Sequence, residues 1–147
     1  MTTYSFKDLT GAFVHPIVGT YILGGGNVGL GQITITMAQD RTAQDVAADG
    51  SVMVSYIPGD NGGCSIEVQQ TSDLHSFLLD WFNACKTAAD GGDITNWASA
   101  QLTFRSILDG SSHELSGVSP GKMPDKVYQQ QGSKITWTLP AANVINE

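Results

Sequence analysis

A chain of 147 residues with 41% hydrophobic content can bury one core, and no composition shift marks a linker, so residues 1–147 are expected to form one domain with an N-terminal arm at 1–7 and a C-terminal tail at 140–147. Its formal charge of −7, with only 7 Lys and Arg, excludes a protein that grips nucleic-acid phosphates through a basic patch. The start, MTTYSFKDL, has neither the basic nor the apolar stretch of a signal peptide, and no later run is long enough to span a bilayer, so a soluble protein without membrane insertion is expected.

Along the chain, Asp8 to His15 and Ile17 to Leu23 read as extended segments interrupted at Pro16. The stretch Gly24 to Gly31, GGGNVGLG, is glycine-rich, but the strand ITITM follows it. A phosphate-holding loop needs a helix there, so a flexible loop is the better reading. Gln32 to Gln70 predicts a four-strand meander. Ile33, Ile35 and Met37 alternate with Gln32, Thr34 and Thr36, giving one apolar and one small polar face. A second strand spans Thr42 to Ala48, Asp49-Gly50 supplies a two-residue turn, and Val52 to Ile57 makes a third. After Asp60-Asn61-Gly62-Gly63, Ile66 and Val68 oppose Ser65, Glu67 and Gln69.

The strongest helix signal is Thr71 to Ala88, about 72–88 once capped. Leu74, Phe77, Leu78, Trp81, Phe82 and Cys85 fall at the spacing of one helical face. Thr71 and Ser72 are candidate N-caps, Asp73 suits the positive dipole end, Lys86 sits near the other end, and Asp90-Gly91-Gly92 supplies the stop. His75 and Leu79 lie off this stripe and are expected at the surface. Ala98 to Arg105, Glu114 to Val118 and Lys134 to Leu139 read as further strands, Lys122 to Gln131 as loop, and Pro140 as the end of the last strand. The sequence alone therefore describes a mainly β body with one packed α-helix.

No catalytic or metal-binding constellation appears. His15, His75 and His113 lie in separate segments, Cys64 and Cys85 lack CxxC partners and read as buried free thiols, and Asp40, Asp45 and Asp49 lack calcium-loop spacing. An enzyme and a cofactor are not expected. Between Asp8 and Cys85 the sole Lys or Arg is Arg41, so the polar face of the meander is base-poor. Its acids are also what solvated turns would carry.

The succession GQITITMAQDRTAQDVAADGSVMVSYIPGDNGGCSIEVQQTSDLHSFLLDWFNA resembles the tail tube proteins of contractile-tailed bacteriophages and of related phage-like injection systems. The resemblant elements are Gly31 to Ala48, Asp49 to Met53, Gly63 to Phe82 and the closing strand Lys134 to Leu139. The resemblance implies an antiparallel β-sandwich or half-barrel whose copies close into an intersubunit β-barrel, as homohexameric rings stacked into a tube. It further implies a virion-tail location after assembly in the host cytoplasm, sheath, baseplate and tape-measure partners, and DNA passing without specific binding. On that reading Gln32, Thr34, Thr36, Ser65, Glu67 and Gln69 face the lumen, and Tyr4, Gly25, Asn27, Asp40 and Arg41, the last at a hairpin tip, mediate intersubunit contact. The competing reading is a monomeric β-sandwich that binds a ligand; its weakness is that the Trp residues follow core periodicity.

Overall fold

A computed structural model describes residues 3–24 and 29–147. After a short 3-10 turn at Phe6–Asp8 come β1 (Leu9–His15), β2 (Gly19–Gly24), β3 (Leu30–Met37), β4 (Thr42–Val46), β5 (Val52–Tyr56), β6 (Gly62–Gln69), α1 (Asp73–Asp90), β7 (Ala100–Ser106), β8 (Ser112–Val118) and β9 (Lys134–Asn146). Seven strands form one sheet in the order β2-β1-β7-β8-β9-β6-β3, every neighbouring pair antiparallel. The sheet curls into a half-barrel that carries α1. β4 and β5 form a separate two-stranded sheet.

The helix has the boundaries its chemistry dictates. The Ser72 hydroxyl accepts the Leu74 N–H at 3.1 Å, and beyond Asp90 the left-handed Gly92 (φ 89°) lets Asp93 N–H reach Ala88 O at 2.9 Å while Gly92 N–H reaches Ala89 O at 3.0 Å. Because α1 continues to Asp90, Lys86 falls short of the last turn, which holds no base. Leu74, Leu78, Trp81 and Cys85 are buried, and Phe77 and Phe82 are half-buried against the core. Phe13 meets Phe77 and Trp81 edge-on, with ring centroids 5.4 and 5.1 Å apart.

Two helix expectations fail. His75 is not on the surface: it is 7% exposed, and its Nδ1 accepts the indole N–H of Trp137 at 3.1 Å. It lies three residues before Leu78 and seven before Phe82, so the buried stripe is wide enough to include it. Leu79 likewise packs partly buried against the core instead of standing free.

The region 32–70 is not a meander. β3 pairs with β6 from Leu30↔Val68 to Met37↔Gly62, and β4 pairs with β5, so a short hairpin continues a longer one. The segment Ala38-Gln39-Asp40-Arg41 has no glycine with which to reverse tightly, so the chain runs on and turns after Ala47. Ala38 N–H to Asn61 O at 3.0 Å and Ile57 N–H to Arg41 O at 2.9 Å hold the two arms together through the interruption. The turn itself is longer than two residues. Ala47 N–H bonds Ser51 O at 2.8 Å across a three-residue loop in which Gly50 alone is left-handed (φ 88°), while Asp49 Oδ1 accepts Ser51 N–H at 2.9 Å.

The C-terminal tail is also a strand. β9 passes through Pro140, pairing with β6 up to Gly62↔Ala141 and with β8 from Val118↔Ala141 to His113↔Asn146. Ser119 N–H donates to Pro140 O at 3.1 Å, so the backbone groups of residue 140 face the β8 side, one step past the last β8 pair. The missing proline N–H thus removes no bond from the ladder to β6. Buried Ala141 and Val144 seal this extension onto the core.

Candidate assembly surfaces

Alternation along β6 and β9 sends Ile66, Val68, Ile135, Trp137 and Leu139 into the core and the intervening residues outward. The register aligns those outward residues in rows: Gln32, Glu67 and Thr136; Thr34, Ser65 and Thr138; Gln69 beside Lys134. Gln32, Thr34, Thr36 and Gln69 are exposed, and Ser65 and Glu67 are half-exposed on this shared face. Thr136, Thr138 and Lys134 were missed as members of it. Their alternation was visible, but only strand order puts β9 next to β6. Lys134 brings one base to the face, with Nζ 3.6 Å from Glu67 Oε1.

The second surface is the β4–β5 hairpin, all ten of whose strand residues are exposed. Thr42↔Tyr56, Gln44↔Val54 and Val46↔Val52 pair directly, so Val46, Val52, Val54 and Tyr56 share one face, with Ala43, Asp45, Met53 and Ser55 on the other. The four apolar side chains are 53–76% exposed. At the root, not the tip, Arg41 forms an ion pair with Asp60; the tip is Ala48–Gly50. Asp40 is exposed beside Arg41, and Tyr4 is exposed at the mouth of a pocket of about 210 Å³ that also includes Phe6, Leu9, Ile33, Ile35 and Phe104. Gly25 and Asn27, with the middle of the glycine-rich loop, lie outside the described residues.

Among the described residues the buried indole nitrogen of Trp81 has no hydrogen-bond partner, whereas the buried histidines and thiols are engaged or silenced by burial. His15 Nδ1 accepts Ile17 N–H at 3.2 Å, which leaves Nε2 to donate to Asn96 O at 3.1 Å; Cys85 Sγ lies 3.7 Å from that same nitrogen. A ring committed on both nitrogens has no free lone pair for a thiol proton, and burial raises the Cys85 pKa. Burial pushes the Cys64 thiol up to about 12. Both cysteines are unpaired by disulfide. Among the described residues no group of three or more His, Cys, Asp or Glu could hold a metal ion, and no helix is long and apolar enough to cross a membrane. Two accessible surfaces stand out among the described residues, a polar sheet face and an amphipathic hairpin.

The family described as Bacteriophage PhiTE tail tube protein matches residues 1–146. Among solved structures, the fold is similar to a chain in the anti-feeding prophage baseplate, at 13% identity and a TM-score of 0.63, covering 100% of this chain and 97% of that one. It is similar to a chain of the PVC sheath/tube terminator of an extracellular contractile injection system, at 10% identity and a TM-score of 0.64, covering 100% and 98%. A chain of the PVC sheath-tube complex in the extended state gives 11% identity and a TM-score of 0.59, covering 99% and 91%. No curated protein sequence matches the chain.

Proposed function

This chain belongs to the bacteriophage tail tube family, and from that membership we propose that its copies join as hexameric rings that stack into the inner tube of a phage tail. Its role is structural, that of a tail component. The observation that carries the assembly reading is the β4–β5 hairpin, whose face of Val46, Val52, Val54 and Tyr56 is left open in the single chain. Two strands alone are marginally stable in water, so such a hairpin gains its order by covering that face on another subunit.

The polar face supports the channel reading. Gln32, Thr34, Thr36, Ser65, Gln69, Thr136 and Thr138 are uncharged, and Lys134 is offset by Glu67, so a lumen lined by these residues offers DNA phosphates little to hold. Subunits close the ring through sheet edges, which removes unpaired strand edges from solvent. DNA passes without specific binding, the chain works without catalytic groups or cofactors, and a sheath, baseplate and tape-measure protein are its partners. The protein is made in the host cytoplasm and resides in the virion tail. Light scattering and negative-stain microscopy of the purified chain test this: rings or tubes are expected, and a strict monomer at high concentration overturns it.

A further inference from the structure

The end of the glycine-rich run has a task that a flexible loop would not have. Gly31 lies in β3 at the irregularity between Leu30 and Gln32, and its φ is outside the left-handed range. Glycine weakens a strand, so where the backbone does not demand it, it marks a close approach. The approaching groups come from two other strands. A Cβ built at Gly31 would lie 3.0 Å from Lys134 Nζ, 3.3 Å from Lys134 Cδ and 3.1 Å from Glu67 Oε1. Gly29 receives Gln69 in the same way: a Cβ there would lie 2.9 Å from Gln69 Oε1, and Gln69 N–H donates to Gly29 O at 3.0 Å.

Lys134 reaches Gly31 from two strands away. It starts on β9, with β6 between it and β3, roughly 10 Å across the sheet. A strand side chain ordinarily stands perpendicular to its sheet, which would aim this ammonium away from the polar face. Instead the Lys134 stem lies flat across β6, and its Nζ comes to rest over Gly31, 3.6 Å from Glu67 Oε1. Two features hold it there: the Glu67 carboxylate, diagonal to Lys134 across the β6–β9 ladder, and the space that a side chain at position 31 would fill. The atoms around that space are the far ends of flexible side chains. A methyl group at position 31 would therefore displace the ion pair and leave the backbone as it is.

We propose that Gly31 is a positioning residue for the polar face: it seats Lys134 against Glu67, so that this lysine lies flat and already paired when a phosphate backbone passes. This rests on the channel reading and adds how a lysine is tolerated in the wall. With the seat broken, each Lys134 becomes a free, salt-sensitive phosphate contact repeated in every copy. The seat is tested in the unassembled chain by acetylation with an N-hydroxysuccinimide ester, read by mass spectrometry against exposed Lys86. Gly31→Ala and Glu67→Gln should each raise Lys134 acetylation about threefold, the size of change an exposed ion pair supports. The consequence is tested by the rate of genome ejection in vitro from phage particles whose tube carries the variants. At about 50 mM salt Gly31→Ala, which only displaces the carboxylate, should slow ejection about threefold, and Glu67→Gln, which removes its charge, about tenfold. At about 500 mM salt both gaps should close to within about twofold, and adding Lys134→Gln should restore either variant at low salt. Unchanged acetylation in both variants overturns the seat. Raised acetylation with wild-type ejection, or slowing that neither salt nor Lys134→Gln relieves, overturns the guarding of phosphate and leaves the tube reading standing. A wild-type chain that forms no rings or tubes removes the tube reading itself, and the guarding role with it.

Discussion

β6 paired with β9 and β4 paired with β5 are built on the same alternation, yet they meet opposite fates. In the first pair Ile66 faces Trp137, both almost wholly buried under α1 and the curled sheet; in the second Val46 faces Val52, and each is more than half exposed. Period-two patterning therefore identifies an apolar face without saying what covers it. Within the chain, cover comes to strands whose neighbours and helix fold back over them. The hairpin projects beyond that reach, and within the single chain its apolar face stays open.

The contrast breaks most visibly at Trp137. Trp137→Ala opens the core and strips His75 of its donor, and is expected to cost about 3–5 kcal/mol in urea unfolding of the unassembled chain. Val54→Asp is its counterpart: unassembled stability should stay within about 0.5 kcal/mol while tubes vanish from micrographs. Equal loss of stability in the two variants would erase the distinction between body and hairpin. Glu67→Lys, on the polar face, should leave tube yield unchanged and reduce genome delivery in an infectivity assay; undiminished infectivity removes Glu67 from the lumen. Ser72→Ala deletes the α1 cap and should cost about 1 kcal/mol by the same unfolding measurement.

The smallest effect is a pH dependence. Burial first, and Lys126 second, hold the His75 imidazole below its ordinary pKa. The unfolded chain therefore takes up the proton first as pH falls. Its contribution to stability is complete above about pH 6.5 and declines below that toward the lower folded-state value. A urea midpoint that drops across this range, with His75→Gln flattening part of the drop, is the expected result.

Much of the body was legible in the chain. The helix stripe from Leu74 to Cys85, its Ser72 cap and glycine stop, and the faces of the strands around Ile66, Leu102 and Trp137 all follow from local periodicity and capping chemistry. The errors share a different cause. His75 is polar by type but sits on a stripe broad enough to bury it, and its hydrogen bond to Trp137 spans 62 residues. Pro140 ends a strand only when its N–H would have had a partner, which depends on where β8 stops. The supposed meander failed because strand order within 32–70 hangs on which of two candidate turns reverses the chain.

By itself the sequence determined which segments extend, where the helix begins and stops, and which side of each is apolar, because these follow from side-chain type and spacing over a few residues. The tertiary structure alone decided strand neighbours: it brought Thr136, Thr138 and Lys134 onto the polar face beside Glu67, carried β9 through Pro140, and left the β4–β5 hairpin uncovered. Neighbours of that kind are chosen by contacts between residues tens of positions apart, where loop closure and packing across the whole core, not local preference, set the free energy.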